Sequence, residues 1–454
     1  MKKTEASESD QIRKRTLLAG VLYMGLAHII FLKQYVKGII FFLIESLFLF
    51  FTLFQVHSTG LYLSGNGPLI QAIKNIVTLG GDQSNLPVRE REHAMFLLND
   101  GLLAIVLVIV FIMLYYLSVR DVIRVLRSRD KSGHMPCLKR TSMQDKTFLI
   151  SALMPTYILL FLFVVLPLIF SALIAFTDYS APNHMPPAQR VNWVGLENFT
   201  TLFSGGQEWT ASFGRVALWT LMWAFLATGT TFIGGFVIAL VLRSHKIRLS
   251  RIFQSIFILP YAVPSLISMM IWANLLNGTI GPINMMLRGL GMTESIYWLT
   301  DPVMAKISMV VVNLWLGFPY YMMMTTSIMT SISQDIFEAS AVDGASQWQT
   351  AAKITLPLVM QQAVPLLIMS FCTNLNNFGM AFFLTAGGPS VAGETTITKA
   401  GATDILISWI YKLTNEAPQK YQYASVLAIL IFVVITPFAV YNYMRSKSFK
   451  ESDM

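Results

Sequence analysis

Four polar side chains fall on one stripe of an apolar run: Ser370, Thr373, Asn374 and Asn377, at i, i+3, i+4 and i+7 within residues 362–385. Polar groups in hydrocarbon are costly unless they meet partners or line a cavity. A second run, 304–328, carries Asn313, Gly317 and Tyr320 at i, i+4 and i+7, with Leu316 beside them. A third, 253–276, holds Tyr261 and Ser265 within Pro260-Tyr261-Ala262-Val263-Pro264-Ser265, where the two prolines can break a helix and free carbonyls. Amides and hydroxyls beside aromatic faces suit a neutral polyhydroxylated solute, because each solute hydroxyl both donates and accepts. Hydrogen bonding between helices explains the same periodicity equally well, since Asn and Ser often tie membrane helices together. No acid stands on these stripes, which argues against proton or sodium coupling. The one clear mid-span acid, Glu45, lies elsewhere and reads as a packing or lipid-interface residue.

A second kind of chemistry is mechanical. Residues 331–358 form a polar, small-residue segment wedged between two strongly apolar runs. Its pattern reads as two short helices with a bend. Ser333 can cap the first, and Asp335 and Glu338 in its early turns complement the helix dipole. Ala339, Ser340, Ala341 and Ala345 are small enough for a partner to approach the backbone, and Trp348 is a large anchor. Gly344, after Asp343, tolerates the positive φ of a bend. Leu356-Pro357 closes the segment, with the proline where a new helix starts.

The elements that must position these groups follow from composition. Apolar residues make up 54% of the 454-residue chain and charged ones only 13%, with several runs long enough to cross a bilayer. Eight spans are expected, near 37–56, 95–117, 149–176, 213–242, 253–276, 304–328, 362–385 and 422–444. The fold class is therefore an all-α integral membrane bundle, because a span must satisfy its own backbone hydrogen bonds. With both termini inside, most of the 33 basic residues fall in cytoplasmic segments. Arg120, Arg124, Arg127, Arg129, Lys131, Lys139, Arg140 and Lys146 crowd one, and Arg243, Lys246, Arg248 and Arg251 fill another. The net charge of +9 thus reads as topology and lipid-headgroup contact, not nucleic-acid binding. Residues 16–32 are apolar but short and flanked by basic residues on both sides, the pattern of an interfacial or re-entrant helix.

The expected organisation is a tail with that helix (1–36), an accessory two-span module (37–117), a basic cytoplasmic linker (118–148), a six-span core (149–445) containing 331–358, and a tail (446–454). Cys137 and Cys372 lie in the linker and in a span, so no external disulfide is expected. The six histidines are scattered, and neither a metal nor a cofactor is expected. No G-x-x-x-x-G-K-[ST] phosphate loop occurs, so the chain is not an ATPase and no catalysis is expected within it.

Glu338-Ala339-Ser340-Ala341-Val342-Asp343-Gly344-Ala345, followed by Ile354-Thr355-Leu356-Pro357, resembles the coupling loop of ABC-importer permeases. Gly195-Leu196-Glu197-Asn198-Phe199 is similar to a signature after the first core helix of sugar-type permeases. Over roughly 250–445 the chain resembles the larger maltose/maltodextrin importer permease (MalF type). The strings that carry this likeness are Leu259-Pro260-Tyr261-Ala262-Val263-Pro264-Ser265, Asn313-Leu314-Trp315-Leu316-Gly317-Phe318-Pro319-Tyr320 and Asn374-Leu375-Asn376-Asn377-Phe378, with Gly281-Pro282-Ile283-Asn284 and Gly387-Gly388-Pro389 in order around them.

The resemblance implies a six-helix type I permease core within the eight spans. It implies that Glu338, Ala339, Asp343, Gly344, Trp348, Leu356 and Pro357 dock on a nucleotide-binding ATPase and transmit its closure. It implies that Tyr261, Ser265, Asn313, Leu316, Gly317, Tyr320, Ser370, Thr373, Asn374 and Asn377 hold the sugar. The implied partners are a second homologous permease, two copies of the ATPase, an extracellular solute-binding lipoprotein and membrane lipid. The implied place is a bacterial cell membrane. An importer for a galactoside or raffinose-type oligosaccharide is the alternative. Ser333 stands where this family often has proline, Ala351 where an aromatic is common, and Thr373 where the enteric maltose permease has an aromatic. The short segment 178–212 lacks the large external domain of the enteric relatives and resembles Gram-positive permeases.

Overall fold

The computed structural model describes residues 2–57, 60–63, 67–132, 153–204, 206–243 and 249–445. It divides into two compact units: Met1–Leu173 with Pro182–Asn192, and Ile174–Ala181 with Trp193–Met454. Seven described helices are long and apolar enough to cross a membrane, and a bent pair makes eight. The expected polytopic helical bundle is therefore present, but the helix at the expected span 362–385 runs Gln347–Leu375 instead, starting earlier and stopping ten residues short.

In the first unit, α1 (Lys2–Leu22) ends before Gly25, which takes a φ of 88°, and α2 (Leu26–Ile30) follows. A Cβ at Gly25 would lie 2.1 Å from the Gly38 carbonyl oxygen, so the chain passes backbone against backbone into α3 (Tyr35–Leu53). Residues 16–32 thus form two helical pieces around a turn. Glu45 is buried and accepts the Met24 backbone N–H, a packing role that fits the expectation for this acid. Asp121 meets both His28, at 3.0 Å, and Lys37. Strands β1 (Phe54–His57) and β2 (Gly60–Leu63) pair antiparallel, a hairpin that hydropathy did not indicate.

After α4 (Pro68–Thr78), α5 (Ala94–Ser132) extends well past the expected end of the second span. Ser118, Val122 and Leu126 are buried at i, i+4 and i+8, so the start of the basic linker continues as an amphipathic helix. The rest of that linker, with Cys137, Lys139, Arg140 and Lys146, lies outside the described residues. Arg91 ties two loops of this unit together, donating to Leu86 O at 2.9 Å and Ala188 O at 2.7 Å. Helix α6 (Leu153–Ile174) contains a π turn at Phe161–Val165.

In the second unit, Asn198 on α7 (Glu197–Ser204) is buried and donates to Ala175 O at 2.8 Å and Thr177 O at 2.7 Å, closing the backbone after α6. The central element is α8 (Gln207–Arg243), against which α12 (Pro302–Ser331) and α14 (Gln347–Leu375) both pack. Small residues set the approach: a Cβ at Gly235 would meet Met322 N at 2.6 Å, and one at Gly234 would meet Leu314 Cδ1 at 2.7 Å. Trp223, Met309 and Met380 lie at the centre of one buried cluster, and Phe232, Tyr321 and Val359 in another.

The span 253–276 is broken where its prolines stand. Helix α9 (Ser250–Ala262) and α10 (Ser265–Leu275) meet at 90°. Pro264 has no N–H to continue the ladder, and Val263 before it is extended, as proline requires of its predecessor. Beyond α11 (Pro282–Gly289) and α12, the segment 331–358 leads into α14. After Leu375 come a π turn (Met380–Leu384), α15 (Thr395–Thr398), α16 (Leu406–Asn415) and α17 (Tyr421–Arg445).

Candidate functional site

One turn of α8, Ala227–Thr231, gathers the amides of two other helices. Asn313 on α12 is buried and donates to Ala227 O at 3.3 Å. Asn374 on α14 is buried and donates to Thr228 Oγ1 at 3.1 Å and Ser370 Oγ at 3.4 Å. Thr231 turns its hydroxyl onto Ala227 O at 2.6 Å, and its methyl faces Gly317, where a Cβ would lie only 2.7 Å away. For Asn313 and Asn374, hydrogen bonding between helices is what the amides do here. Leu316 is half-buried against the cluster around Met309.

The other candidates are open. Tyr261 is 54% exposed and Tyr320 38%, with ring centroids 6.3 Å apart and planes tilted by 33°. Ser265 is exposed at the first position of α10, just past the bend. Thr373 is exposed, with its hydroxyl donating to Met369 O at 2.9 Å. Asn377 corrects the sequence reading: α14 ends at Leu375, so Asn377 is not on the same helix as Ser370, Thr373 and Asn374. Its Nδ2 donates to Asn374 Oδ1 at 3.3 Å and its Oδ1 accepts from Met380 N at 3.4 Å, joining the helix end to the next π turn.

The candidates therefore divide into a fixed set held by α8 and an exposed set of two tyrosines, two hydroxyls and one half-buried amide. Thr228 and Thr231, which do the holding, were not singled out from sequence. Their one signal is the polar run Thr228-Gly229-Thr230-Thr231 within an apolar span. Nothing charged stands among the exposed set. The arrangement can stack on and hydrogen-bond a neutral ligand through its rings, hydroxyls and amide. Among the described residues no group of His, Cys, Asp and Glu is placed to hold a metal.

The segment 331–358 begins with α13 (Gln334–Val342). Ser333 occupies its N-cap position, but the hydroxyl points to Asp335 Oδ2 at 3.1 Å and makes no cap bond to the backbone. Gly344 follows with a φ of 75°. Its N–H bonds Ala341 O at 3.1 Å and the Ala345 N–H bonds Ser340 O at 3.0 Å, the paired closure of a glycine-ended helix. A true capping box, Ser346 with Gln349, then starts α14.

Pro357 does not begin a new helix, contrary to the sequence expectation. The helix is already running from Gln347, and Ala351–Thr355 form a π turn just ahead of the proline. One extra residue in that turn relieves the clash between a proline ring and the carbonyl four residues back.

Glu338, Ala339, Asp343, Gly344 and Pro357 are exposed and Leu356 is half-buried. Val342 is 88% and Trp348 76% exposed, large apolar surfaces on an otherwise polar segment. Only Phe337 and Ser340 of α13 turn away from solvent.

The family model for the inner membrane component of binding-protein-dependent transport systems matches residues 231–446. The galactooligosaccharides transport system permease protein GanP of Bacillus subtilis is 33% identical over 92% of this chain and 94% of its own length. The maltodextrin transport system permease protein MalC of Streptococcus pneumoniae is 30% identical, over 98% of this chain and 99% of its own length. Among solved structures, a bacterial ABC transporter involved in import of the acidic polysaccharide alginate superimposes with a TM-score of 0.52. It is 24% identical and covers 66% of this chain and 96% of the other, a likeness of fold.

Proposed function

Because the chain belongs to the family of binding-protein-dependent transport system inner membrane components, as an ABC sugar-importer permease, we propose that it carries maltose and maltodextrins into a bacterial cell. Both termini then face the cytoplasm, as the basic segments require. A solute-binding lipoprotein delivers sugar from outside, a second homologous permease completes the path, and two copies of a separate ATPase supply the energy. Tyr261, Tyr320, Ser265, Thr373 and Asn377 touch the sugar, while Asn313, Leu316, Gly317, Ser370 and Asn374 fix the helices that present them. Glu338, Ala339, Asp343, Gly344, Trp348, Leu356 and Pro357 form the surface the ATPase grips.

The observation that carries this reading is the continuity of α14. One 29-residue helix starts in the exposed segment beside Trp348 and ends at Asn374 and Leu375. At 1.5 Å per residue that is a rod of roughly 43 Å, so a displacement at one end arrives at the other. Alternating access follows if the sugar and the ATPase favour different positions of that rod.

The test is uptake of labelled maltotriose into vesicles holding the permease pair, the ATPase and the lipoprotein. Uptake must need internal ATP and ignore a protonophore; uptake that follows the proton gradient refutes the reading. The similarity to a galactooligosaccharide permease supports a second reading for the substrate. Competition decides it: if unlabelled galactooligosaccharide displaces maltotriose completely and is itself the better substrate, the maltodextrin assignment falls.

A further inference from the structure

Arg243 closes α8 and touches two other helices at once. Its Nη1 donates to Met329 O at 2.5 Å, one of the last carbonyls of α12, which has no partner in its own helix. Its guanidinium carbon sits 4.4 Å from the centroid of the Phe337 ring on α13. Phe337 is one of the two α13 side chains turned away from solvent, so the stack lies on the attachment face of that helix. A cavity of about 630 Å³ opens beside it, lined among the described residues by Arg243 itself with Leu242, Gln254, Thr326 and Ser333.

We propose that Arg243 is a positioning residue for transport: it joins the ATPase-facing helix α13 to α8, and through α8 to the turn that holds Asn313 and Asn374. From Arg243 to Thr228 is fifteen residues of unbroken helix, roughly 22 Å at 1.5 Å each. A push on α13 therefore reaches the sugar-facing helices by a second route, parallel to α14. Arginine suits the task because one flat group can donate a hydrogen bond in its plane while its face stacks on an aromatic ring. Lysine offers no such plane. The inference rests on the reading that 331–358 docks on the ATPase, and its test separates the two.

The complete importer in vesicles is compared as wild type, Arg243→Ala, Arg243→Lys, Phe337→Leu and the double variant Arg243→Ala/Phe337→Leu. Three quantities are read: ATPase retained by the tagged permease on purification, unstimulated hydrolysis, and the stimulation by sugar-loaded lipoprotein together with uptake. Arg243→Ala and Phe337→Leu should each lower stimulation and uptake about tenfold, the scale of one partly desolvated cation–π contact. Retained ATPase and unstimulated hydrolysis should not change, Arg243→Lys should recover little, and the double variant should be no worse than either single one. Phe337→Leu keeps an apolar side chain, so it stands as the gentler probe if Arg243→Ala fails to assemble. Full uptake in Phe337→Leu, or losses that multiply in the double variant, would overturn the proposal. A wild-type permease that retains no ATPase would overturn the docking reading, and this inference with it.

Discussion

Two polar stretches interrupt the apolar helices of the second unit, and they are built in opposite ways. The segment 385–413 turns its polar groups inward. Asp404 is fully buried and accepts from Lys412 Nζ at 2.7 Å, Ser408 Oγ at 2.8 Å and the Gly401 N–H at 2.7 Å. Arg215 on α8 reaches Glu394 at 2.8 Å and Gly401 O at 2.6 Å, while Trp219 and Trp409 donate to Thr403 O and Thr398 O. The segment 331–358 turns its groups outward instead, with exposed acids, Val342 and Trp348. A buried network such as the first is satisfied by the chain itself. The second is finished locally by its caps and leaves a surface for something else.

Two glycines condense the contrast. Gly387 and Gly344 have nearly the same left-handed backbone, with φ of 71° and 75°. A Cβ at Gly387 would lie 2.0 Å from Asp404 Oδ1 and 2.4 Å from Lys412 Nζ, whereas one at Gly344 would meet nothing within 4 Å. Gly387→Ala should therefore remove folded permease from the membrane fraction, the largest effect expected; a normal yield would mean the buried network yields easily.

Lys412→Met comes next. It strands Asp404 in the interior, an expected loss of about 3–5 kcal/mol, read as thermal melting of the purified permease. Replacing both partners, Asp404→Leu with Lys412→Met, should recover most of it, and no recovery would contradict the account. The loss also depends on pH. Burial pushes the Asp404 carboxyl above its usual range, while Lys412, the Gly401 N–H and Ser408 pull it down. Without Lys412 it rises further, so the folded state binds the proton more tightly than the unfolded chain. Stability is then greatest below the unfolded carboxylate value and is lost as pH rises through the raised one. The deficit of Lys412→Met should shrink in acid; a deficit that grows in acid would be the wrong sign.

Gly344→Asp should cost only about 1–2 kcal/mol of local backbone strain, since the space is open. Uptake should nevertheless vanish while the protein inserts and melts nearly as before. Normal uptake would remove Gly344 from the docking surface. At the small end, Ser346→Ala should cost about 1 kcal/mol, for it breaks a real capping box. Ser333→Ala should stay within about 0.5 kcal/mol, because that hydroxyl caps nothing. Melting curves that rank the two serines the other way would contradict the geometry.

The spans and the break at Pro264 were legible because hydropathy and proline act locally. The bend at Gly344 was legible for the same reason: a glycine in the middle of a polar stretch invites a positive φ. Partners were not. The stripe of Ser370, Thr373, Asn374 and Asn377 has helical spacing, but spacing does not reveal that the helix stops at Leu375 or that Thr228 faces Asn374. Pro357 looked like a helix start because a π turn ahead of it leaves no mark in the residue pattern. Ser333 has the right type for a cap, yet its neighbour Asp335 competes for the hydroxyl. Arg243 looked like one more positive charge at the membrane edge, and only the fold puts Phe337 beneath it.

The most direct test of the central contrast is photocrosslinking from Val342 and Trp348, with Ile397 and Tyr411 on the closed segment as controls, in vesicles that are importing sugar. The account predicts that both positions on 331–358 capture the nucleotide-binding subunit and that capture stops uptake, while the controls never do. Crosslinks from 342 and 348 to lipid or water alone, with uptake running normally, would contradict it.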